Sequence, residues 1–75
     1  MKELVLFVAQ SLVDHPDQVS VKETEGAEAV ILELTVAPDD MGKVIGKQGR
    51  IAKAIRSVVK AATAKSSKPV FVEIQ

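Results

Sequence analysis

VIGKQGR, residues 44–50, sets two glycines three apart around a lysine and a glutamine, with an apolar pair in front and an arginine behind. A glycine pair confers backbone conformations that side chains forbid, and a surface bare enough for another chain to come close. The segment feeds what reads as a helix beginning at Arg50. Unpaired amides and the positive end of a helix dipole meet at such a start, a setting that favours phosphate. Lys47 and Arg50 add cations at the tip, and Lys43 and Lys53 extend the track on either side.

Downstream, residues 50–64 follow a helical period of about 100° per residue. Ile51, Ile55, Val58, Val59 and Ala62 fall on one side, while Arg50, Lys53, Arg56 and Lys60 fall on the other. Lys65-Ser66-Ser67-Lys68-Pro69 breaks this helix, and Val70, Val72 and Ile74 alternate into a last strand. Upstream, Asp39 or Asp40 is placed to cap a short helix through Met41 to Ile45. Pro38 stops the strand before it, residues 29–36, in which Val30, Leu32, Leu34 and Val36 face one way and Ile31, Glu33 and Thr35 the other.

Residues 19–25 alternate with Val19 and Val21 on one face, and Glu25-Gly26-Ala27-Glu28 turns the chain back into a hairpin. Residues 2–13 run twelve positions without a turn signal and predict a helix with a stripe of Leu4, Val5, Val8 and Leu12. Leu6 and Phe7 lie off that stripe, which calls for burial on two sides or for a partner. His15-Pro16-Asp17 ends the helix. The order is α-β-β-α-α-β: an α+β fold, one domain over residues 1–75, with a three-stranded sheet packed against helices.

Composition narrows the function. Without cysteine there is no disulfide framework and no thiolate metal site, which suits a reducing, cytoplasmic setting. The run Leu4 to Ala9 is too short to span a bilayer, so no membrane insertion is expected. The formal net charge of zero conceals a polarised chain. Residues 1–42 hold two cations against nine anions, and residues 43–75 hold eight cations against Glu73 alone. A cationic patch of this kind attracts polyanions; the plainer alternative is that the two halves fold together and neutralise each other. His15 has no second histidine for a metal site and no nearby nucleophile. No catalytic constellation, metal site, cofactor or small-molecule substrate is expected, and the chain does not read as an enzyme.

The segment from Gly42 to Arg56, GKVIGKQGRIAKAIR, within this element order, resembles the KH domain of the prokaryotic type (type II). Together with the short length, it is similar to the small stand-alone bacterial KH proteins of the KhpA type, and the likeness covers essentially the whole chain. The resemblance implies single-stranded RNA binding, with the GxxG loop on the backbone of about four nucleotides and the bases in an adjacent apolar groove. Mapped onto this sequence, the RNA-binding residues are Lys43, Val44, Ile45, Gly46, Lys47, Gln48, Gly49, Arg50, Ile51, Lys53 and Ile55, with Leu34 or Val36 contributing from the strand. Many KH domains carry a bulkier apolar residue where this chain has Ala52. The same resemblance implies a homodimer or a heterocomplex with a larger Jag-type KH protein, and a part in RNA regulation linked to cell shape.

The only aromatics are Phe7 and Phe71, neither near the loop in sequence, so stacking on an aromatic platform is not the expected device. Lys60, Lys65 and Lys68 read as solubilising or peripheral charges. Two other readings remain open at this level: a helix-turn-helix DNA-binding domain, since two helices joined by a glycine turn fit that as well, and a protein-interaction module that binds no nucleic acid.

Overall fold

The computed structural model describes residues 1–75 apart from the side chain of Lys47. Its elements are α1 (Lys2–Leu12), a 3-10 turn (Pro16–Gln18), β1 (Ser20–Glu25), β2 (Val30–Thr35), α2 (Pro38–Ala62) and β3 (Val70–Ile74). β2 is the central strand, antiparallel to β1 and parallel to β3. The hairpin forms where Glu25-Gly26-Ala27-Glu28 places it: Glu25 pairs with Val30, and the Gly26 N–H donates to the Ala29 carbonyl at 2.8 Å. A parallel pair cannot be closed by a hairpin, so α2 is the crossover that carries the chain from β2 to β3.

Alternation along β2 decides which face of the sheet the helices cover. Leu32 and Leu34 are completely buried, and Val36 just beyond the strand is buried with them. Val21 and Val72 join from the flanking strands, Val5 and Ala9 from α1, and Val44, Ala52, Ile55 and Val59 from α2. The expected stripe on α1 is shifted. Val5 and Ala9 form its centre, Leu6 and Val8 pack beside them, and Leu12 is partly exposed. Phe7 stands two residues from both Val5 and Ala9, about 200° around the helix, and so faces the opposite side, 68% exposed. On α2 the expected face holds for Ile55 and Val59, but Ala52 is in the core and Ala62 is exposed.

Helical hydrogen bonding runs from Pro38 to Ala62, yet Gln48 and Gly49 have φ of +63° and +70°. A right-handed helix needs φ near −63°, so the two left-handed residues divide α2 into two limbs. These limbs are the two adjacent helices of the α-β-β-α-α-β order.

The expected aspartate cap is absent. Ala37 occupies the N-cap with no side-chain hydrogen bond, and Pro38 sits in the first turn, where its missing N–H costs nothing. Asp40 points inward instead. Its carboxylate is buried and accepts from the Asp14 N–H at Oδ1 and the His15 N–H at Oδ2, both at 3.0 Å. This one side chain fastens the end of α1 to the start of α2. Asp39, by contrast, is exposed and lies 3.8 Å from the His15 imidazole.

Lys68 closes the other end of the molecule. Its ammonium donates to Glu25 Oε2 at 2.9 Å and to the Gly26 carbonyl at 3.0 Å, joining the α2–β3 connection to the hairpin turn. That hydrogen bond, with the lysine charge behind it, holds the Glu25 carboxyl below its ordinary pKa.

Asp40→Asn puts an amide donor where one of two backbone N–H groups now finds an acceptor. It is predicted to lower stability by about 2 kcal/mol in urea unfolding, whereas Asp39→Asn shifts it by less than about 0.5 kcal/mol.

Candidate nucleic-acid interface

The glycine turn owes its shape to a division of labour between neighbouring residues. Gly49 takes a left-handed φ that strains any residue with a Cβ. Gln48 takes the same region with its side chain exposed. Gly46 does not use this freedom: it lies in the first limb of α2 without a positive φ, and a Cβ built on it meets nothing within 4 Å. Gly42, one helical turn earlier, is equally open. Neither the backbone path nor the packing therefore requires glycine at position 46.

A groove of about 430 Å³ lies beside these glycines, lined by Gly42, Lys43, Gly46, Arg50 and Ile51. Of the residues expected at the site, the structure brings Lys43, Gly46, Arg50 and Ile51 to this groove. Gln48 and Lys53 are exposed nearby in sequence, and Ile45 is 56% exposed. The Lys47 side chain lies outside the described residues, so its expected charge contact has no structural account.

The predicted apolar wall requires correction. Val44 and Ile55 are fully buried in the core, as are Leu34 and Val36. They support the two limbs of α2 from beneath and offer no surface to a ligand. The reason is the left-handed pair, which aims both limbs at the sheet and draws the inward apolar residues of each into one core. The apolar surface left near the turn belongs to Ile45 and Ile51.

A second groove, of about 410 Å³, runs between the C-terminal limb of α2 and the edge strand β3. Arg56, Lys60 and Thr63 line it from the helix, and Pro69, Val70 and Phe71 from the strand side, over Val59 and Val72. By sequence alone Lys60 is a peripheral charge and Phe71 lies far from the glycine loop. The parallel crossover from β2 to β3 carries β3 back along α2, and Phe71 remains 55% exposed there. The alternation of Val70, Val72 and Ile74 was the available signal, since it turns Phe71 away from the core.

Charge follows the same surface. Arg50, Lys53, Arg56 and Lys60 are exposed along the second limb. Among the described side chains none of them makes an ion pair within 4.0 Å. Two basic residues of the C-terminal half are paired with acidic ones of the N-terminal half: Lys43 with Asp14 at 3.1 Å and Lys68 with Glu25 at 2.9 Å. Neutralisation between the halves is thus real at the ends of the molecule but leaves the stripe between the two grooves uncovered. Among the described residues, no helix is long and apolar enough to cross a membrane, and no group of His, Cys, Asp and Glu is gathered for a metal ion.

The family model described as "KhpA/KhpB, KH domain" matches residues 2–74. A protein named RNA-binding protein KhpA from Clostridium perfringens is 68% identical over 99% of both chains. Its namesakes from Clostridium acetobutylicum and Aquifex aeolicus are 65% and 49% identical, each over 99% of this chain and over 99% and 94% of their own lengths. No solved structure gives a significant match. The matched family is one of binding domains, not of enzymes. With a GxxG turn between two helical limbs, laid over a three-stranded mixed sheet, this chain belongs to the KhpA/KhpB KH-domain family.

Proposed function

We propose that this chain binds single-stranded RNA, with the sugar-phosphate backbone on the Gly46–Gly49 turn and the bases directed into the grooves beside it. The observation that carries this reading is Gly46, a glycine that the fold does not need, set in open space next to a groove lined by Lys43 and Arg50. An absent side chain there lets a nucleic-acid backbone approach the helix closely. Relatives that share up to 68% of the sequence carry the name RNA-binding protein, which supports RNA as the ligand.

On this reading Lys43, Lys47, Arg50 and Lys53 neutralise phosphates, while Ile45 and Ile51 supply apolar contact at the turn. Arg56 and Lys60 lead the strand toward β3, where Val70 and Phe71 border the second groove. Backbone and shape dominate such a surface, so sequence discrimination is modest. Membership of the KH family favours this function over a helix-turn-helix reading, as does the sheet beneath the helices.

A site for about four nucleotides offers little contact, and useful affinity comes from joining it to a second module. A homodimer or a heterocomplex with a Jag-type KH protein supplies that module. The chain then acts in the cytoplasm as a post-transcriptional regulator or RNA chaperone, with an influence on cell shape.

Gly46→Ala separates folding from function. It is expected to raise stability by up to about 1 kcal/mol, because alanine is the better helix former, and to weaken binding of a labelled oligouridylate measured by fluorescence anisotropy. Gly49→Ala, in contrast, lowers stability by about 1–2 kcal/mol. Unchanged RNA affinity in Gly46→Ala would remove the observation on which the function rests.

The double variant Lys47→Asp, Gln48→Asp tests the turn by charge. It is expected to keep the circular dichroism of the wild type and lose RNA binding. For the wild type, a slope of about −0.7 per phosphate neutralised predicts a dependence of log K on log salt of roughly −2 to −3 for three or four cations. A folded double variant with undiminished affinity would place the site elsewhere.

A further inference from the structure

Among the described side chains that line the glycine groove, Lys43 differs from Arg50 in being held by a carboxylate. Its Nζ lies 3.1 Å from Asp14 Oδ1 while the same residue lines the groove with Gly46 and Arg50. The position of Asp14 is no accident of a mobile loop. Its own N–H is bound by the buried Asp40 carboxylate at 3.0 Å, and the next amide, that of His15, is bound by the other oxygen. Asp40 stands three residues before Lys43 on the first limb of α2. One buried side chain thus brings a carboxylate from the end of α1 to the cation of the groove.

We propose that Asp14 is an internal competitor for RNA phosphate: its carboxylate occupies Lys43 in the free protein and is displaced when a phosphate arrives. This rests on the reading of the glycine turn as the RNA site. Both side chains are largely exposed, and an exposed pair is weak enough to exchange. While Asp14 remains beside it, Lys43 adds no net positive charge to the track, and the phosphate path is weakest on the α1 side. The strand is therefore favoured to run from the turn along Arg50 and Lys53. Asp14 sets affinity and direction without contacting RNA.

The test is binding of a labelled single-stranded oligouridylate by the wild type, Asp14→Asn, Lys43→Met and the double variant over a range of salt. Asparagine keeps the N–H that Asp40 binds, so the fold is retained, which urea unfolding checks. Asp14→Asn is expected to tighten binding about two- to fivefold, the worth of an exposed pair, and to leave the salt slope within about 0.3 of the wild type, since Lys43 meets its phosphate in both complexes. In the Lys43→Met background the same change is expected to have little effect. Equal affinity in the wild type and Asp14→Asn would overturn the proposal, as would equal tightening in the presence and absence of Lys43. A wild type that binds no single-stranded RNA would instead overturn the reading of the site, and this proposal with it.

Discussion

Two consecutive left-handed residues, Gln48 and Gly49, are the constraint on which the rest of this molecule depends. A right-handed helix through residues 38–62 has one axis and can present one buried stripe. Broken at this point, α2 becomes two limbs with separate tasks. The first sends Val44 into the core and Asp40 to the end of α1; the second lays Ala52, Ile55 and Val59 over the sheet. Glycine at position 49 meets the left-handed requirement without strain, while Gln48 meets it at a cost of about 1–2 kcal/mol. Strain of that kind, tolerated at an exposed turn beside a basic groove, is common where a backbone is held ready for a ligand.

The charge pattern acquires a physical meaning from the same geometry. Among the described side chains, acidic and basic halves of the chain meet in ion pairs at two points, Asp14 with Lys43 and Glu25 with Lys68, at opposite ends of the structure. Between them the second limb of α2 carries Arg50, Lys53, Arg56 and Lys60 outward, past one groove at the glycines and another at β3. Exposed pairs of this kind add little to stability. The buried Asp40 carboxylate is the strong polar contact, and it fixes how α1 sits against the site.

Much of this was legible in the residues. The strict alternation of β2, the hairpin at Glu25 to Glu28 and the amphipathic run after Arg50 each have one reading, because a two-residue or 3.6-residue period selects a face. The turn was legible as well, since glycines three apart between cations have few other uses. Local pattern does not report what a side chain meets across the fold. Asp40 read as a helix cap because its sequence neighbourhood fits one, yet its partners are 25 and 26 positions away. Val44 and Ile55 were placed in the groove wall by the likeness to KH domains, whereas both are buried in the core. Phe71 and Lys60 entered the site only once the parallel crossover had placed β3 beside α2.

The most direct measurement is an amide chemical-shift titration of the ¹⁵N-labelled protein with a single-stranded oligouridylate. The largest shifts are predicted on Gly46 to Arg50, extending through Arg56 and Lys60 to Val70 and Phe71. Little movement is predicted for Lys22 and Thr24 on β1. Shifts confined to α1 or to β1, with the amides of Gly46 to Arg50 unmoved at saturation, would contradict this reading of the site.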